Sequence, residues 1–483
     1  MAAHPTKLRW LTLILILALL VPACSFSLFD TSRPSDFLTE TVLPPTSTEL
    51  PTLTLTYPSP KFTSPPPASP TAPPPTQAPP PTLAPPPTNA PAQPPATPSA
   101  LQSTLLNEIW QTVNDNYLYR DFNGLDWNAV HSEYAQRIAA GMSDEQFYQA
   151  MADMIQRLGD NHSTFFSPTQ AKQMDEQTGG EYNYVGIGVV HTPEPERKLL
   201  SVVLVFPGSP AERAGIQPHD SILSVDGQPV FDAQGNRLNL LQGQAGTTIQ
   251  VSVQTPGQQP RLLSITRQRV DAAMPIPYQV YLTTTGKRIG YLLIPTFIES
   301  GIGNRVGLAI NDMSFNAPLD GLIIDNRPNT GGTSQEMLTT LSYFVNGPAG
   351  YFVNKGTQET VQGAGVDVAG SQHIPLVVLI GKNTVSFGEV FAGILKDLGR
   401  AYLIGEHTMG NVELLSVFDF SDGSRLWIAS GTFRPIHHPD QIWEKVGVLP
   451  DLELASQWDQ VTQANDPLIQ AALQHFTQTL SAP

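Results

Sequence analysis

Apolar and polar residues follow one another along this chain in four distinct patterns. Lys7 and Arg9 precede a nearly unbroken apolar run from Leu11 to Val21. At roughly ten residues this run is too short to span a bilayer. From Pro44 to Pro98 the apolar pattern disappears into Pro, Thr, Ser and Ala, with recurring triplets at Pro65–Pro67, Pro73–Pro75 and Pro85–Pro87. From Leu101 to about Met174 apolar residues recur at helical spacing, first in Leu105, Leu106, Ile109, Trp110 and Val113,. A second set runs through Phe147, Met151, Met154, Ile155 and Leu158, with Ser143 and Gln146 spaced as a capping box and Gly159 at the end,. From Tyr184 to about Val270 the pattern is one of short strands and a single short helix. Beyond residue 270 strands alternate with helices. Ile289–Ile294, Gly321–Ile324, Leu376–Ile380 and Ala401–Ile404 read as strands, and Asn304–Met313, Ser334–Phe344 and Glu389–Leu398 as helices,. The fold class is therefore α+β and multidomain. A leader (1–24) and a Pro/Thr-rich linker (25–100) precede a helical piece (101–178), a β-barrel-like domain (179–270), an α/β core with parallel strands (271–455) and a helical tail (456–483) that reads as peripheral.

Composition narrows the setting. The 483 residues carry a net charge of −16, which excludes a nucleic-acid-binding surface built of clustered Lys and Arg,. The single cysteine, Cys24, excludes an intrachain disulfide framework,. Pro22-Ala23-Cys24 closes the apolar run, and the whole leader resembles a bacterial lipoprotein signal. That resemblance implies lipidation at Cys24 and an extracytoplasmic, membrane-anchored protein of the bacterial cell envelope. An ordinary cleaved signal with an incidental cysteine, or an uncleaved anchor, is the alternative. The proline-rich linker has no apolar surface to bury and favours polyproline II, in which 55 residues extend to at most roughly 170 Å,. A spacer through an envelope fits it better than a ligand for a proline-binding partner.

Within 179–270, the glycine-punctuated run Val185-Gly186-Ile187-Gly188 opens a strand. Pro207–Ile216 forms a turn, a short helix and a glycine cap, and Asp226-Gly227 closes a later strand,. This order resembles a PDZ domain. The resemblance implies that the backbone N–H groups around Val185, Gly186, Ile187 and Gly188 hold the terminal carboxylate of an extended peptide that adds to the sheet edge.

Two strand-to-helix junctions of the core carry the chemistry. After Leu376–Ile380 comes Gly381-Lys382-Asn383-Thr384-Val385-Ser386-Phe387-Gly388-Glu389. A serine there sits at the carboxyl end of a sheet strand and beside a helix amino terminus, whose N–H groups can stabilise an oxyanion. Ser386 and Glu389 also have capping-box spacing, which gives the serine a purely structural alternative. The second junction, Asp325-Asn326-Arg327 through Gly331-Gly332, has paired glycines that let backbone approach a reacting carbonyl,.

Taken together these segments resemble the carboxy-terminal-processing, or tail-specific, serine protease family over about Leu101–Leu454. Leu158-Gly159-Asp160-Asn161-His162-Ser163 is similar to its Leu-x-Asp-x-His-(Thr/Ser) element. Asp325–Gly332 is similar to its Asp-x-Arg…Gly-Gly segment, and Val385–Asp397 to its nucleophile unit. Gly405–Gly410 and Gly447-Val448-Leu449-Pro450-Asp451 are similar to its later loops. The serine–lysine branch places a general-base lysine where this chain has Asn411, and an asparagine cannot take a proton.

Two readings follow. In the first the site resembles the tricorn-core branch: Ser386 is the nucleophile, His162 its base and Glu444 the orienting carboxylate, with Phe387 and Gly331 or Gly332 supplying oxyanion N–H groups. The chain is then a serine endopeptidase acting on proteins or peptides recruited through their carboxyl-terminal residues. In the second, catalysis is lost and the chain is a PDZ-containing binding scaffold. Lys382 and Lys396 offer no replacement base. His437-His438 with Asp440 reads as a polar loop, so no metal site and no cofactor are expected.

Overall fold

The computed structural model describes residues 99–160, 162–178, 183–271 and 273–480. The leader with Cys24 and the proline-rich linker lie outside the described residues. Among the described residues, no helix is long and apolar enough to cross a membrane.

The helical piece opens with Ala100–Asn116, Trp127–Ala139 and Asp144–Gln156. The Ser143 capping box forms: Ser143 N–H donates to Gln146 Oε1 at 2.9 Å, and Gln146 N–H to Ser143 Oγ at 3.2 Å. The apolar stripes of these helices converge, but not only on one another. Leu105, Ile109, Phe147 and Met154 share one cluster with Leu426, Ile428 and Ala429 of the Arg425–Pro435 strand. The helices therefore complete their core against a strand some 270 residues downstream.

That strand belongs to a five-stranded sheet absent from the sequence reading. Arg425–Pro435 pairs with Thr164–Phe166, Asn346–Asn354 and Leu414–Asp419, and Asn346–Asn354 pairs in turn with Gln358–Ala364. Its members are poor in clean alternation. Asn346–Asn354 contains two glycines and a proline, and a register shift lies between Pro348 and Gly350,.

The PDZ-like domain is an antiparallel sheet in the order Val189–Glu194, Leu199–Val205, Ser221–Val225, Thr248–Gln254, Arg261–Thr266. Its one helix, Pro210–Arg213, is capped by the Ser209 side chain. Ile187, Val202, Ile222 and Val251 fill its own core, while Val203, Leu204 and Phe206 join the core of the neighbouring α/β domain.

In that α/β domain the strands run Tyr278–Leu282, Arg288–Leu293, Gly321–Asp325, Leu376–Ile380, Ala401–Gly405, Leu452–Glu453. All neighbours are parallel except the first pair. Every residue of Gly321–Asp325 and of Leu376–Ile380 is buried, as a parallel strand covered on both faces requires,. Helices Ile302–Ser314, Ser334–Leu341 and Phe387–Asp397 cover the sheet. The tail helix Pro467–Thr479 corrects the expectation of a peripheral element. Its Leu468, Ile469, Ala472 and Phe476 are buried in the main core, and the Phe476 ring packs where a side chain on Gly321 would stand.

The tail is also tied by charge. Arg327 is buried between Asp325, at 2.6 Å, and Asp466, at 2.7 Å, and stacks on Trp458. Asp325 also accepts the Tyr291 hydroxyl. Removing one partner of a buried ion pair leaves the other charge uncompensated. Asp466→Ala is therefore expected to lower unfolding stability by about 3 kcal/mol in urea titrations, and an unchanged midpoint would show the tail to be dispensable for the core.

Candidate active site

The Leu376–Ile380 strand delivers the chain into a tight turn whose last residue is Ser386, directly before the Phe387–Asp397 helix. Ser386 has φ 56° and ψ −126°, a left-handed conformation unusual for any residue but glycine,. Such strain persists only when the surroundings over-determine it. Here they do. Ser386 N–H donates to the Asn411 carbonyl at 2.9 Å and to Glu389 Oε2 at 3.1 Å, and Val385 N–H donates to the Asn329 carbonyl at 2.9 Å. The expected capping box forms, its firm half being the Ser386 N–H bond to Glu389, while the Glu389 N–H also goes to the Ser386 carbonyl at 2.9 Å. The result is a part-exposed serine on a strained strand-to-helix turn,.

Glu389 organises what surrounds it. Fully buried, it accepts the Thr408 hydroxyl, Gly410 N–H at 2.6 Å, Asn411 N–H at 2.8 Å and Ser386 N–H. Thr408 Oγ1 in turn accepts Val448 N–H at 2.7 Å. Burial pushes the Glu389 carboxyl above the ordinary range, against the pull of these donors. The sequence reading saw in Glu389 only a cap.

The glycine loop lies against the serine. Gly331 has φ +80°, and a Cβ on it would stand 2.6 Å from the Ser386 Cβ, so glycine is required both for the turn and for the approach,. The structure separates the two expected glycine donors. Gly331 N–H is already committed to Asn329 Oδ1 at 2.9 Å, which removes it as an oxyanion donor. The N–H groups of Gly332 and of Phe387 have no hydrogen-bond partner among the described residues. Asn326 and Asn329, which the sequence reading passed over, lock this loop: Asn326 Nδ2 donates to the Gly388 carbonyl and Asn329 Nδ2 to Asn326 Oδ1.

His162 arrives from the helical piece. Asp160 bends its backbone by accepting the N–H groups of His162, at 2.9 Å, and Ser163, at 2.6 Å, and is itself held by the Tyr117 hydroxyl at 2.8 Å. Ser163 Oγ then accepts Ala429 N–H, which docks this turn on the Arg425–Pro435 strand. The imidazole is buried, and its Nε2 lies 3.2 Å from Glu444 Oε1. The sequence pairing of His162 with Glu444 is thus a contact in the fold. A second carboxylate was missed: Glu413 Oε2 lies 3.5 Å from the same nitrogen, and its other oxygen accepts the Tyr119 hydroxyl. The signal for Glu413 was a lone acid inside the apolar stretch Val412-Glu413-Leu414-Leu415. For Tyr119 there was none. Burial pushes the His162 pKa down, but the Glu444 hydrogen bond and the charges of Glu413 and Glu444 hold it above its ordinary value.

The Gly410–Glu413 loop ties this cluster to the serine. Asn411 O accepts Ser386 N–H, and Val412 N–H donates to Glu444 Oε2 at 2.9 Å. One peptide unit joins the two groups, so Ser386 N lies within about 8 Å of Glu444 Oε2. The lysines stay away. Lys382 pairs with Glu406 on the surface, and Lys396 binds Asp451 and the Leu449 carbonyl. His437 and His438 are engaged by Asp397, while Asp440 is exposed, in keeping with a polar loop.

In the PDZ-like domain, Gly186, Ile187 and Gly188 are buried and Val185 half-buried. The Ile187 carbonyl accepts Ala211 N–H and the Gly188 carbonyl accepts Phe206 N–H. The Tyr184 ring packs on Gly186, and its hydroxyl reaches the backbone at Gly188 and Val189. Val189–Glu194 is the edge strand of its sheet, with one side unpaired.

Replacing the Glu389 carboxylate by an amide brings a donor into a ring of donors. Glu389→Gln is expected to cost about 1–3 kcal/mol and to speed amide hydrogen exchange at Gly410 and Asn411. Unaltered protection there would mean that the loop is held by something else.

Comparison with known proteins fits this site. The peptidase family S41 profile matches residues 288–454, that of the tricorn protease C1 domain 102–156, and that of a PDZ domain 201–255. The chain is 31% identical over 403 residues to the carboxyl-terminal-processing protease of Synechocystis sp., covering 79% of this chain and 89% of the relative. It is 29% identical to the chloroplastic carboxyl-terminal-processing peptidase 2 of Arabidopsis thaliana, covering 77% and 72%. Among solved structures it resembles a photosystem II D1 C-terminal processing protease at 28% identity and a TM-score of 0.55, covering 74% of this chain and 94% of that one. A helical piece, a PDZ-type sheet and an α/β core with a strained serine turn in this order, shared over most of both chains, place the protein in peptidase family S41, among the carboxyl-terminal-processing proteases.

Proposed function

We propose that this chain is an exported serine endopeptidase in which Ser386, His162 and Glu444 work as a triad. The observation that carries the reading is the His162–Glu444 hydrogen bond, formed across 282 residues of sequence and linked to Ser386 through the Gly410–Glu413 loop. It supplies a base from elsewhere in the fold, since Asn411 stands where the serine–lysine branch has its lysine.

Glu444 takes the proton-bearing Nε2, which leaves Nδ1 of His162 as the basic nitrogen. Ser386 Oγ attacks the scissile carbonyl and its proton passes to Nδ1. The carbonyl oxygen, now negative, is stabilised by the N–H groups of Phe387 and Gly332. Glu444 and Glu413 stabilise the imidazolium, which then gives its proton to the departing amine. Water, deprotonated by the same nitrogen, releases the acyl group from Ser386.

Recruitment falls to the PDZ domain. An extended peptide adds to the open edge of Val189–Glu194, and its terminal carboxylate takes the N–H groups of the Gly186–Gly188 loop in place of the Tyr184 hydroxyl. The lipoprotein-type leader puts the enzyme on the outer side of a bacterial membrane, held through Cys24 and spaced by the proline-rich linker. Cys24→Ser is expected to move the protein from the membrane fraction to the soluble one.

A serine-reactive fluorophosphonate should label the protein, and Ser386→Ala should abolish labelling. His162→Ala should lower kcat by about 10⁴-fold or more; an unchanged rate would reject the triad. Amidating the carboxyl terminus of a peptide substrate should raise KM with little change in kcat, whereas an unaffected KM would rule out capture by the terminal carboxylate.

A further inference from the structure

One buried atom in this region stands without a partner. Glu413 Oε2 accepts no hydrogen bond, and the Glu413 side chain is only 1% exposed. That oxygen points at His162 Nε2 from 3.5 Å, while Glu444 Oε1 stands 3.2 Å from the same nitrogen. The three ligand-type atoms lie within 4.8 Å of one another. We propose that His162, Glu413 and Glu444 form a binding site for a zinc-class divalent cation, and that its occupancy silences the peptidase.

The geometry fits the ion. Zinc holds nitrogen and oxygen ligands at about 2.0–2.1 Å in a tetrahedron, which sets its ligand atoms roughly 3.3 Å apart. The two separations from Nε2 fall on either side of that value. One imidazole and two carboxylates are donors that suit zinc, and three protein ligands leave a fourth position for water. Each carboxylate has one oxygen fixed from behind, Glu413 by the Tyr119 hydroxyl and Glu444 by Val412 N–H, and turns its other oxygen to the histidine. Outer hydrogen bonds of this kind orient metal ligands. Two buried carboxylates facing one imidazole are also short of positive charge, which a dication supplies. The ligands come from positions too far apart in sequence to be read as a metal motif, and this site revises the expectation of none.

Silencing follows from the tautomer. A cation takes the lone pair of Nε2, so the proton of the neutral ring resides on Nδ1. A protonated Nδ1 has no lone pair for the Ser386 proton. This consequence rests on the triad reading; the binding itself does not.

Calorimetric titration of zinc chloride into the full chain decides the site. The parent is Ser386→Ala combined with His438→Gln, which removes the exposed histidine on Asp397 as a competitor. One ion per chain is expected to bind, weakened at least about tenfold by adding Glu413→Gln. His162→Gln serves as the second variant should Glu413→Gln fail to fold. No binding, or equal binding in parent and variants, overturns the site. In peptide cleavage by the unaltered chain, zinc should abolish activity and a chelator restore it; activity unchanged or raised by saturating zinc overturns the silencing. If the metal-free chain cleaves nothing, the triad reading fails, and the calorimetry still decides the site.

Discussion

The arrangement of this protein's chemistry depends on one buried carboxylate. Glu389 gathers four donors, from Thr408, Gly410, Asn411 and Ser386, into a space closed to water. A buried charge without partners costs several kcal/mol, so the loop that provides the donors has little freedom to leave. The bond to Ser386 holds the strained turn, and the bonds to Gly410 and Asn411 hold the segment that leads to Val412 and Glu413. Ser386 and the His162–Glu444 pair are thereby referred to the same point. The Asn326–Asn329 network does the equivalent on the other side, where it spends the Gly331 N–H and leaves those of Gly332 and Phe387 unpaired.

What could be read in the sequence divides along physical lines. The parallel strands were visible because both of their faces are covered, which leaves unbroken apolar runs such as Leu376–Ile380 bounded by Gly381. Ser386 was visible as a serine between such a strand and an apolar helix, but its spacing to Glu389 gave it a structural reason to be there as well, and the family resemblance was needed to single it out. The five-stranded sheet was not visible. Asn346–Asn354 and Leu414–Asp419 pair through backbone and bury alternate side chains weakly, and their partners lie far away in the chain. His162 and Glu444 could be placed only through the family resemblance, since nothing local shows that two residues 282 apart will meet. Glu413 and Tyr119 belong to the same class of long-range contact. The tail was misjudged because an amphipathic helix looks alike whether it caps a surface or completes a core. Asp466, which reaches Arg327, decided between the two.

The asparagine at 411 illustrates how a site can keep its frame while changing its chemistry. Its backbone still serves both Ser386 and Glu389, so the loop geometry does not require a basic side chain. In the proposed triad, proton transfer falls instead to a ring carried by another part of the fold, positioned by Asp160 and Tyr117 rather than by the α/β domain's own helices. On that proposal, docking of the helical piece on the Arg425–Pro435 strand is a condition of chemistry as well as of stability.

This division of labour also has a clock in it. The proposed base, His162, lies early in the chain and its partner Glu444 late, 282 residues on. At about 5–20 residues per second, a ribosome takes roughly 15–55 s to make the stretch between them. For all of that interval the nascent protein has His162 without Glu444 and, for most of it, without Ser386. Under the proposed triad, order along the chain thus withholds proteolytic competence until synthesis is nearly complete.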